Sequence, residues 1–152
     1  MRNLEIKTTQ RIIIMCVCIF HFGCTIAKTS NPTVEVTTGK NRLAPCPKTT
    51  NCVLSIDPMD EHYVPPLCYT GKQDDAYRKL VALIASCQRA RIVVKEANYL
   101  RAEFRSAILR FVDDEEFLFS ADQTVIDVRS ASRVGYFDFG MNRRRIEDSR
   151  KR

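Results

Sequence analysis

The chain has 152 residues, with 45% hydrophobic and 28% charged residues and a formal net charge of +6. This length fits one domain with its own core, and no internal repeat suggests a solenoid or a propeller. Residues 1–23 contribute +2 of the charge and residues 143–152 contribute +4, so the remainder of the chain is near neutral. A near-neutral body argues against a nucleic-acid-binding surface across the domain.

The N-terminal residues 1–23 have the plan of a secretory signal peptide. Basic residues precede the apolar run 12–20, which is shorter than the ~20 residues of a membrane-spanning helix. Gly23-Cys24 is similar to the end of a bacterial lipoprotein signal, which predicts lipid on Cys24 and a protein on the periplasmic side of a bacterial membrane. The alternative is cleavage after Ala27, which would leave a soluble periplasmic protein. A buried N-terminal helix is the third option, and the polar residues that follow disfavour it.

Residues 24–43 are rich in polar residues without an apolar period, which predicts a flexible tether before a single globular domain at 44–152. After Cys24 the exported chain keeps an even number of cysteines, as expected in an oxidising compartment: Cys46, Cys52, Cys68 and Cys87. Of the three possible connectivities, the short loop favours pairing Cys46 with Cys52, which would leave Cys68 to pair with Cys87. Only two histidines and no C-x-x-C motif are present, so we expect no metal site and no cofactor.

The globular domain begins with the proline-rich segment 44–69, which reads as an extended, turn-rich stretch with Val53, Leu54 and Ile56 available to the core. Apolar residues then recur at helical spacing from Asp75 to about Arg89. Alternating or β-branched runs predict strands at 92–94, 99–106, 116–120 and 125–132. Asn142 is the expected N-cap of a last helix after Gly140. The predicted fold is α+β: a single antiparallel sheet of about four strands, a long helix packed on one face and a short C-terminal helix.

Several motifs in order resemble domain of unknown function family 1499. They are Cys46-Pro47, Asn51-Cys52-Val53, Tyr99-Leu100, Arg105-Ser106, Phe111-Val-Asp-Asp, Arg129-Ser-Ala-Ser-Arg-Val-Gly135, and Asp138 and Gly140 with the Asn142-Arg143 pair. The resemblance spans roughly residues 44–150. It implies no assigned activity. It does imply export, sometimes as a lipoprotein, and it supports the pairing of Cys46 with Cys52.

Strand alternation gathers arginines and carboxylates on one face of the predicted sheet, near an aspartate-rich segment. The tentative binding residues are Arg101, Arg105, Asp113, Asp114, Arg129, Arg133, Asp138, Asn142 and Arg143. Arginine forks bind carboxylates and phosphates, so the first hypothesis is a site for an anionic small molecule or an acidic group of an envelope protein. The alternative is an internal network in which Asp113 and Asp114 hold arginines such as Arg129 or Arg133 and fix the last loop.

A catalytic interpretation is the competing class: a hydrolase-like enzyme with Asp113 or Asp114 as general base. Adjacent residues on a strand point to opposite faces, so these two cannot jointly flank one bond. The region has no histidine and no serine–histidine or cysteine–histidine pair. We read Ser130 and Ser132 as hydrogen-bonded core serines rather than nucleophiles. The leading hypothesis is therefore a lipid-anchored envelope protein with a non-catalytic binding or structural role.

Overall fold

The computed structural model describes residues 43–152, which form a six-stranded antiparallel sheet with two helices against one face. The strands are β1 (Cys52–Leu54), β2 (Leu67–Cys68), β3 (Ala90–Lys95), β4 (Tyr99–Arg105), β5 (Val112–Phe119) and β6 (Val125–Ser132). The helices are α1 (Gln73–Ser86) and α2 (Met141–Arg150). The order across the sheet is β1-β6-β5-β4-β3, and β2 also pairs with β6.

The predictions for the signal peptide, for lipid on Cys24 and for nearly all of the tether fall on residues 1–42, outside the described residues. Within the described part of the chain, no helix is long and apolar enough to cross a bilayer.

The helix-facing side of the sheet carries the main core, because apolar side chains alternate along the central strands. Leu100 of β4, Phe117 of β5 and Val128 of β6 are cross-strand neighbours on this face and are fully buried. Ile84 of α1 and Ile146 of α2 belong to the same buried cluster. Burying each side chain of this size contributes ~1.5–3 kcal/mol relative to leaving it in water. This shared core fixes both helices on one face, and the other face combines polar residues with a smaller apolar cluster of Leu43, Leu54 and Tyr99.

The predicted fold is wrong in its strand count and in its long helix. The extra strands, β1 and β2, come from the proline-rich segment and are only three and two residues long. These two segments form strands because they pair with β6, and not because of their own strand propensity. The first helix has 14 residues and ends at Ser86 because Cys87 is extended and Arg89 has a φ of 62°. The second helix has 10 residues.

The disulfide prediction is confirmed for one pair and wrong for the other. Cys46 and Cys52 are bonded, with Cα atoms 5.7 Å apart. Cys68 and Cys87 are both free. Cys68 is exposed on β2, whereas the Cys87 thiol donates to the carbonyl oxygen of Leu83, one turn earlier in the chain. The helical spacing of Cys87 therefore indicated partial burial, but not a sulfur partner.

Two loops leave the sheet at the same end, which we name the loop end. One is the β4–β5 loop, residues 106–111, and the other is the β6–α2 loop, residues 133–140. The amide of Arg133 donates to the carbonyl oxygen of Val112 at 3.0 Å, so the loops start from adjacent strands. The short β3–β4 and β5–β6 turns lie at the opposite end, as antiparallel hairpins require.

Candidate functional site

The face of the sheet opposite the helices carries a group of arginines and carboxylates, which we call the outer cluster. Its members are Arg91, Arg101, Glu103, Asp114, Glu116, Arg129 and Arg133. Strand register assembles it: Glu103 of β4 lies opposite Asp114 of β5. Likewise Glu116 lies between Arg101 on one neighbouring strand and Arg129 on the other.

Arg133 is the centre of the outer cluster. Its guanidinium donates from Nε and Nη2 to the two oxygens of Asp114 at 2.7 and 2.8 Å, a two-bond fork. Nη2 also donates to Glu103 at 2.6 Å, and Arg91 donates to the other oxygen of Glu103 at 3.1 Å. The hydrogen bond from Arg133 is the largest cause that lowers the pKa of Glu103, against an opposing effect of burial. The pKa of Arg133 is raised in turn, chiefly by Asp114.

A second group in the outer cluster is centred on Glu116. Arg129 donates to its Oε1 at 2.9 Å, and the hydroxyl of Tyr99 donates to its Oε2 at 2.7 Å. Arg101 lies further from its acidic neighbour, with Nε 3.9 Å from Oδ1 of Asp114. Because these guanidinium groups already face internal carboxylates, an external anion would have to displace those carboxylates in order to bind. Arg105 differs, since it is exposed and forms no ion pair within residues 43–152.

The helix-facing side of the sheet carries a smaller polar group, which we call the inner cluster. Its members are Asn51, Asp113, Glu115, Ser130, Ser132, Asn142 and Arg145. Arg145 projects from α2 over the start of β5 and donates to Asp113 at 2.8 Å and to Glu115 at 3.5 Å. Its guanidinium carbon also lies 4.7 Å from the ring centre of Phe104, a cation–π contact. Arg145 thus links the helix to β5 through two carboxylates and to β4 through the ring of Phe104.

Glu115 is the most unusual group of the inner cluster, because its side chain is fully buried. Burial raises the pKa of Glu115 to about 7, against the opposing effect of Arg145. Its Oε2 atom has no hydrogen-bond partner among the described residues. A carboxyl group in this state is close to half protonated near neutral pH, which is a property that general acids share. Glu115 lines neither of the two cavities at this face of the domain.

Asn142 is the hydrogen-bonding centre of the inner cluster and is also fully buried. Its Oδ1 accepts from Ser130 at 2.6 Å and from Arg145 at 3.2 Å. Its Nδ2 donates to the carbonyl oxygen of Asn51 at 2.9 Å and to Ser132 at 3.1 Å. The amide therefore ties α2 to β6 and to the start of β1. The prediction of hydrogen-bonded core serines is confirmed.

The prediction of Asn142 as N-cap is wrong, since the first helical turn is capped from further back. Gly140 is the N-cap residue, with a φ of 70° that a residue without Cβ adopts freely. The carboxylate of Asp138 accepts from the amides of Gly140 and Asn142 at 2.9 and 2.8 Å. Both of its oxygens are thus occupied at a helix start, where negative charge is favourable. The side chain of Arg143 takes no part in this cap, and its guanidinium donates to the carbonyl oxygen of Tyr63 at 2.7 Å.

The predicted binding residues therefore divide into separate groups. Asp114, Arg101 and Arg133 meet on the outer face, and Arg129 lies beside them with Glu116. Asp113 lies on the helix side with Arg145. Three others, Asp138, Asn142 and Arg143, belong to the start of α2. Sequence reasoning missed Glu115 and Arg145, although extending the alternation from Phe117 back through Glu115 would have placed a carboxylate in the core.

The geometry weighs against Asp113 or Asp114 as a general base. As predicted from the pleat, the two point to opposite faces of β5. Each carboxylate is held by a guanidinium group, Asp113 through Oδ2 by Arg145 and Asp114 through both oxygens by Arg133. Among residues 43–152, no group of three His, Cys, Asp or Glu side chains could hold a metal ion.

Two cavities open on the helix-bearing side of the domain. The larger, about 430 Å³, has an apolar floor from α1 and β2 and basic side chains from the end of α2 at its rim; it includes Leu67, Cys68, Lys79, Leu83, Arg150 and Arg152. The smaller, about 210 Å³, lies at the start of α2 and includes Thr50, Glu61, His62, Asp138 and Arg143. Of the predicted binding residues, only Asp138 and Arg143 line either cavity.

Comparison with known proteins agrees with the motif resemblance. The chain matches no curated protein and no solved structure. It does match, over residues 42–152, the family described as "protein of unknown function (DUF1499)". The matched range covers the complete sheet, both helices and both clusters. The chain therefore belongs to domain of unknown function family 1499.

Proposed function

We propose that this protein is exported and held at a membrane by lipid on Cys24, where it has a non-catalytic binding or structural role in the cell envelope. The observation that carries the non-catalytic part is the pairing of the two candidate bases with arginines, Asp113 with Arg145 and Asp114 with Arg133, on opposite faces of one strand. Such pairs position strands and helices, and neither aspartate lines one of the two cavities.

The disulfide between Cys46 and Cys52 supports export, because disulfides persist in oxidising compartments. It closes a short loop at the start of the globular domain, immediately after the predicted tether. The leader pattern in residues 1–23 and the Gly23-Cys24 pair support lipid attachment on sequence grounds. An attached lipid and a tether would keep the domain within a limited distance of the bilayer.

The outer cluster supports a structural role for its arginines. Glu103 and Glu116 are buried carboxylates, and each is neutralised by an arginine of the same face. Removing the arginine would leave a buried charge without its partner, which is costly. A binding partner therefore needs a surface other than the Arg129–Arg133 face.

Mass spectrometry of the membrane fraction of the native host tests the anchoring. We expect a mature chain that begins at Cys24 and carries the mass of attached acyl chains, with Cys24→Ser as the unlipidated control. A soluble product beginning at Lys28 would contradict lipid anchoring while leaving export intact. A membrane-bound product with the leader uncleaved would contradict both processing sites.

A further inference from the structure

The β6–α2 loop exposes four large apolar side chains to solvent: Val134, Tyr136, Phe137 and Phe139. Tyr136 is 81% exposed and Phe139 is 77% exposed, although aromatic side chains of this size are usually at least half buried. The rings of Phe137 and Phe139 lie edge to face, 4.8 Å apart, and form a projecting aromatic pair. The loop therefore exposes a group of apolar side chains, two of them in contact, and not a single residue.

The β4–β5 loop, at the same end of the sheet, exposes three more: Ile108, Leu109 and Phe111. Ile108 is 89% exposed. Together the two loops of the loop end hold seven of the ten large hydrophobic side chains that are exposed within residues 43–152. Such a concentration marks a surface that meets a membrane or another molecule, because scattered exposure needs no explanation but clustered exposure does.

Hydrogen bonds hold both loops in these positions. The amide of Ser106 donates to the carbonyl oxygen of Phe111 and the amide of Phe111 donates back to the hydroxyl of Ser106, both at 2.9 Å. In the other loop, the amide of Thr50 donates to the carbonyl oxygen of Tyr136, and the side chain of Asn51 donates to that of Gly135 at 2.8 Å. These contacts fix the backbone while the apolar side chains point outward. The exposure is thus built into the fold.

The charges around these side chains are positive. Arg105 and Arg110 flank the exposed tip of the β4–β5 loop, and Arg144 lies one turn into α2; all three are exposed and form no ion pair among the described residues. Neither loop contains an acidic residue except Asp138, whose two oxygens are occupied by helix amides. Apolar and aromatic tips with arginines beside them match the interface of an anionic bilayer, where rings enter the headgroup region and arginines meet phosphates.

We propose that the loop end is a membrane-docking surface for an anionic lipid bilayer. The proposal rests on the proposed export to a membrane-bounded compartment and deepens it, since it adds a second contact between the domain and the bilayer. The chain from Cys24 to Leu43 can span at most ~65 Å when fully extended. This exceeds the ~35 Å width of a domain of this size, so the tether permits the loop end to face the bilayer. Docking needs two signals for stable attachment, and the apolar loops with their arginines would supply one of them.

Single tryptophans test this directly, because the chain contains none. Full-length protein carrying Cys24→Ser is reconstituted with vesicles of phosphatidylcholine alone or with phosphatidylglycerol, some of them brominated. Tyr136→Trp and Ile108→Trp report on the two loops, and Gln123→Trp, in the exposed β5–β6 turn at the opposite end of the sheet, is the matched control. At positions 136 and 108 we expect the tryptophan emission to shift to shorter wavelength and to be quenched by brominated lipid. At position 123 we expect neither change. Both changes at the loops should be larger with anionic lipid. Equal quenching at all three positions, or none at the loops, would overturn the proposal.

Charge and apolar variants separate the two contributions. The double variant Arg105→Glu/Arg110→Glu should need at least ~10-fold more anionic lipid to reach the same quenching at the loops. High salt should have the same effect on the wild-type loops. Lys79→Glu, on the exposed side of α1, changes charge away from the loop end and should leave quenching unchanged. Ile108→Ser with Phe137→Ser should weaken it at least ~10-fold on both vesicle types. No loss from either loop variant would overturn the proposal.

Two other occupants are distinguished by the same samples. If a second copy of the chain covered the loops, the emission of the Tyr136→Trp variant would shift without vesicles and depend on protein concentration, which would overturn membrane docking. Lipid attachment is scored separately by mass spectrometry. Loop quenching with no lipid on Cys24 would contradict the anchor alone, and lipid on Cys24 with water-exposed loops would contradict docking alone.

Discussion

The inner and outer clusters use the same chemistry on opposite faces of one sheet, and their surroundings give them different properties. In the outer cluster the guanidinium of Arg133 is about 42% exposed and holds two carboxylates with short bonds. In the inner cluster Arg145 is largely covered and its contact to Glu115 is long, at 3.5 Å. Whether a charged residue lies in the core or at the surface therefore affects its contribution to stability more than the identity of its charged partner does.

The two glutamates show the difference most clearly, because both have arginine partners and their pKa values move in opposite directions. The pKa of Glu103 is lowered, since hydrogen bonds from Arg133 outweigh burial. The pKa of Glu115 is raised to about 7, since complete burial outweighs Arg145. One pair stabilises the charged carboxylate, and the other leaves the charge poorly compensated.

Arg145→Ala should have the largest effect on stability. It removes the partner of Asp113 and of the buried Glu115, and it removes the contact with Phe104. Breaking a buried charge pair costs ~3–5 kcal/mol. Urea unfolding at pH 7 measures it, with Arg144→Ala as the exposed control on the same helix. A loss equal to that of Arg144→Ala would show that the inner cluster does not hold α2 to the sheet.

Glu115→Gln should change how stability depends on pH. Between its ordinary pKa of 4.5 and about 7, the folded state holds a proton on Glu115 that the unfolded chain releases. Unfolding therefore becomes easier as pH rises through this window, and the full difference is ~3 kcal/mol. From pH 5 to pH 8, the free energy of unfolding of the wild type should fall by about this amount more than that of Glu115→Gln. Taking the difference cancels the contributions that the two proteins share, and equal falls would contradict the prediction.

Arg133→Ala should be less destabilising than Arg145→Ala, although Arg133 makes the shorter bonds. Water can reach Arg133, and Glu103 keeps Arg91 as a second partner, so we expect a loss of ~1–2 kcal/mol. Because the pKa of Glu103 is lowered, its stabilising contribution is present above pH 4.5 and is lost as pH falls below it. The gap between variant and wild type should therefore narrow in acid. A gap that widens in acid would assign the effect to another group.

Arg105→Ala should have the smallest effect, below ~0.5 kcal/mol, since this exposed arginine forms no ion pair within the described residues. Thermal unfolding beside Arg133→Ala provides the comparison on the same face. A loss as large as that of Arg133→Ala would mean that exposure does not separate the two arginines.

Regular alternation is what the sequence revealed best. β6 spans Val125–Ser132 as predicted, because its apolar and polar residues alternate without a break. The start of β5 was missed because Asp113, Asp114, Glu115 and Glu116 form an acidic run with weak strand propensity. Arginines from α2, from β6 and from the residue after β6 compensate these charges, and those arginines are ~10 to 30 positions away in the chain. No local pattern carries that information.

The candidate site was predictable in composition but not in geometry. The pleat correctly predicted that Asp113 and Asp114 diverge. The pairing of Asp113 with Arg145 depends on the position of α2, which depends on Ile146, Asn142 and the cap from Asp138. The free Cys68 and Cys87 show the same limit, since an even cysteine count does not fix which thiols are near each other.

We expect these arginine–carboxylate groups to hold the fold together. A double-mutant cycle with Asp113→Ala, Arg145→Ala and the double variant, followed by urea unfolding at pH 7, measures how strongly one such pair is coupled. Since the two side chains are joined at 2.8 Å, we predict a coupling free energy of ~1–3 kcal/mol. Losses that add to within ~0.5 kcal/mol would mean that the pair contributes nothing as a pair, and would contradict the claim.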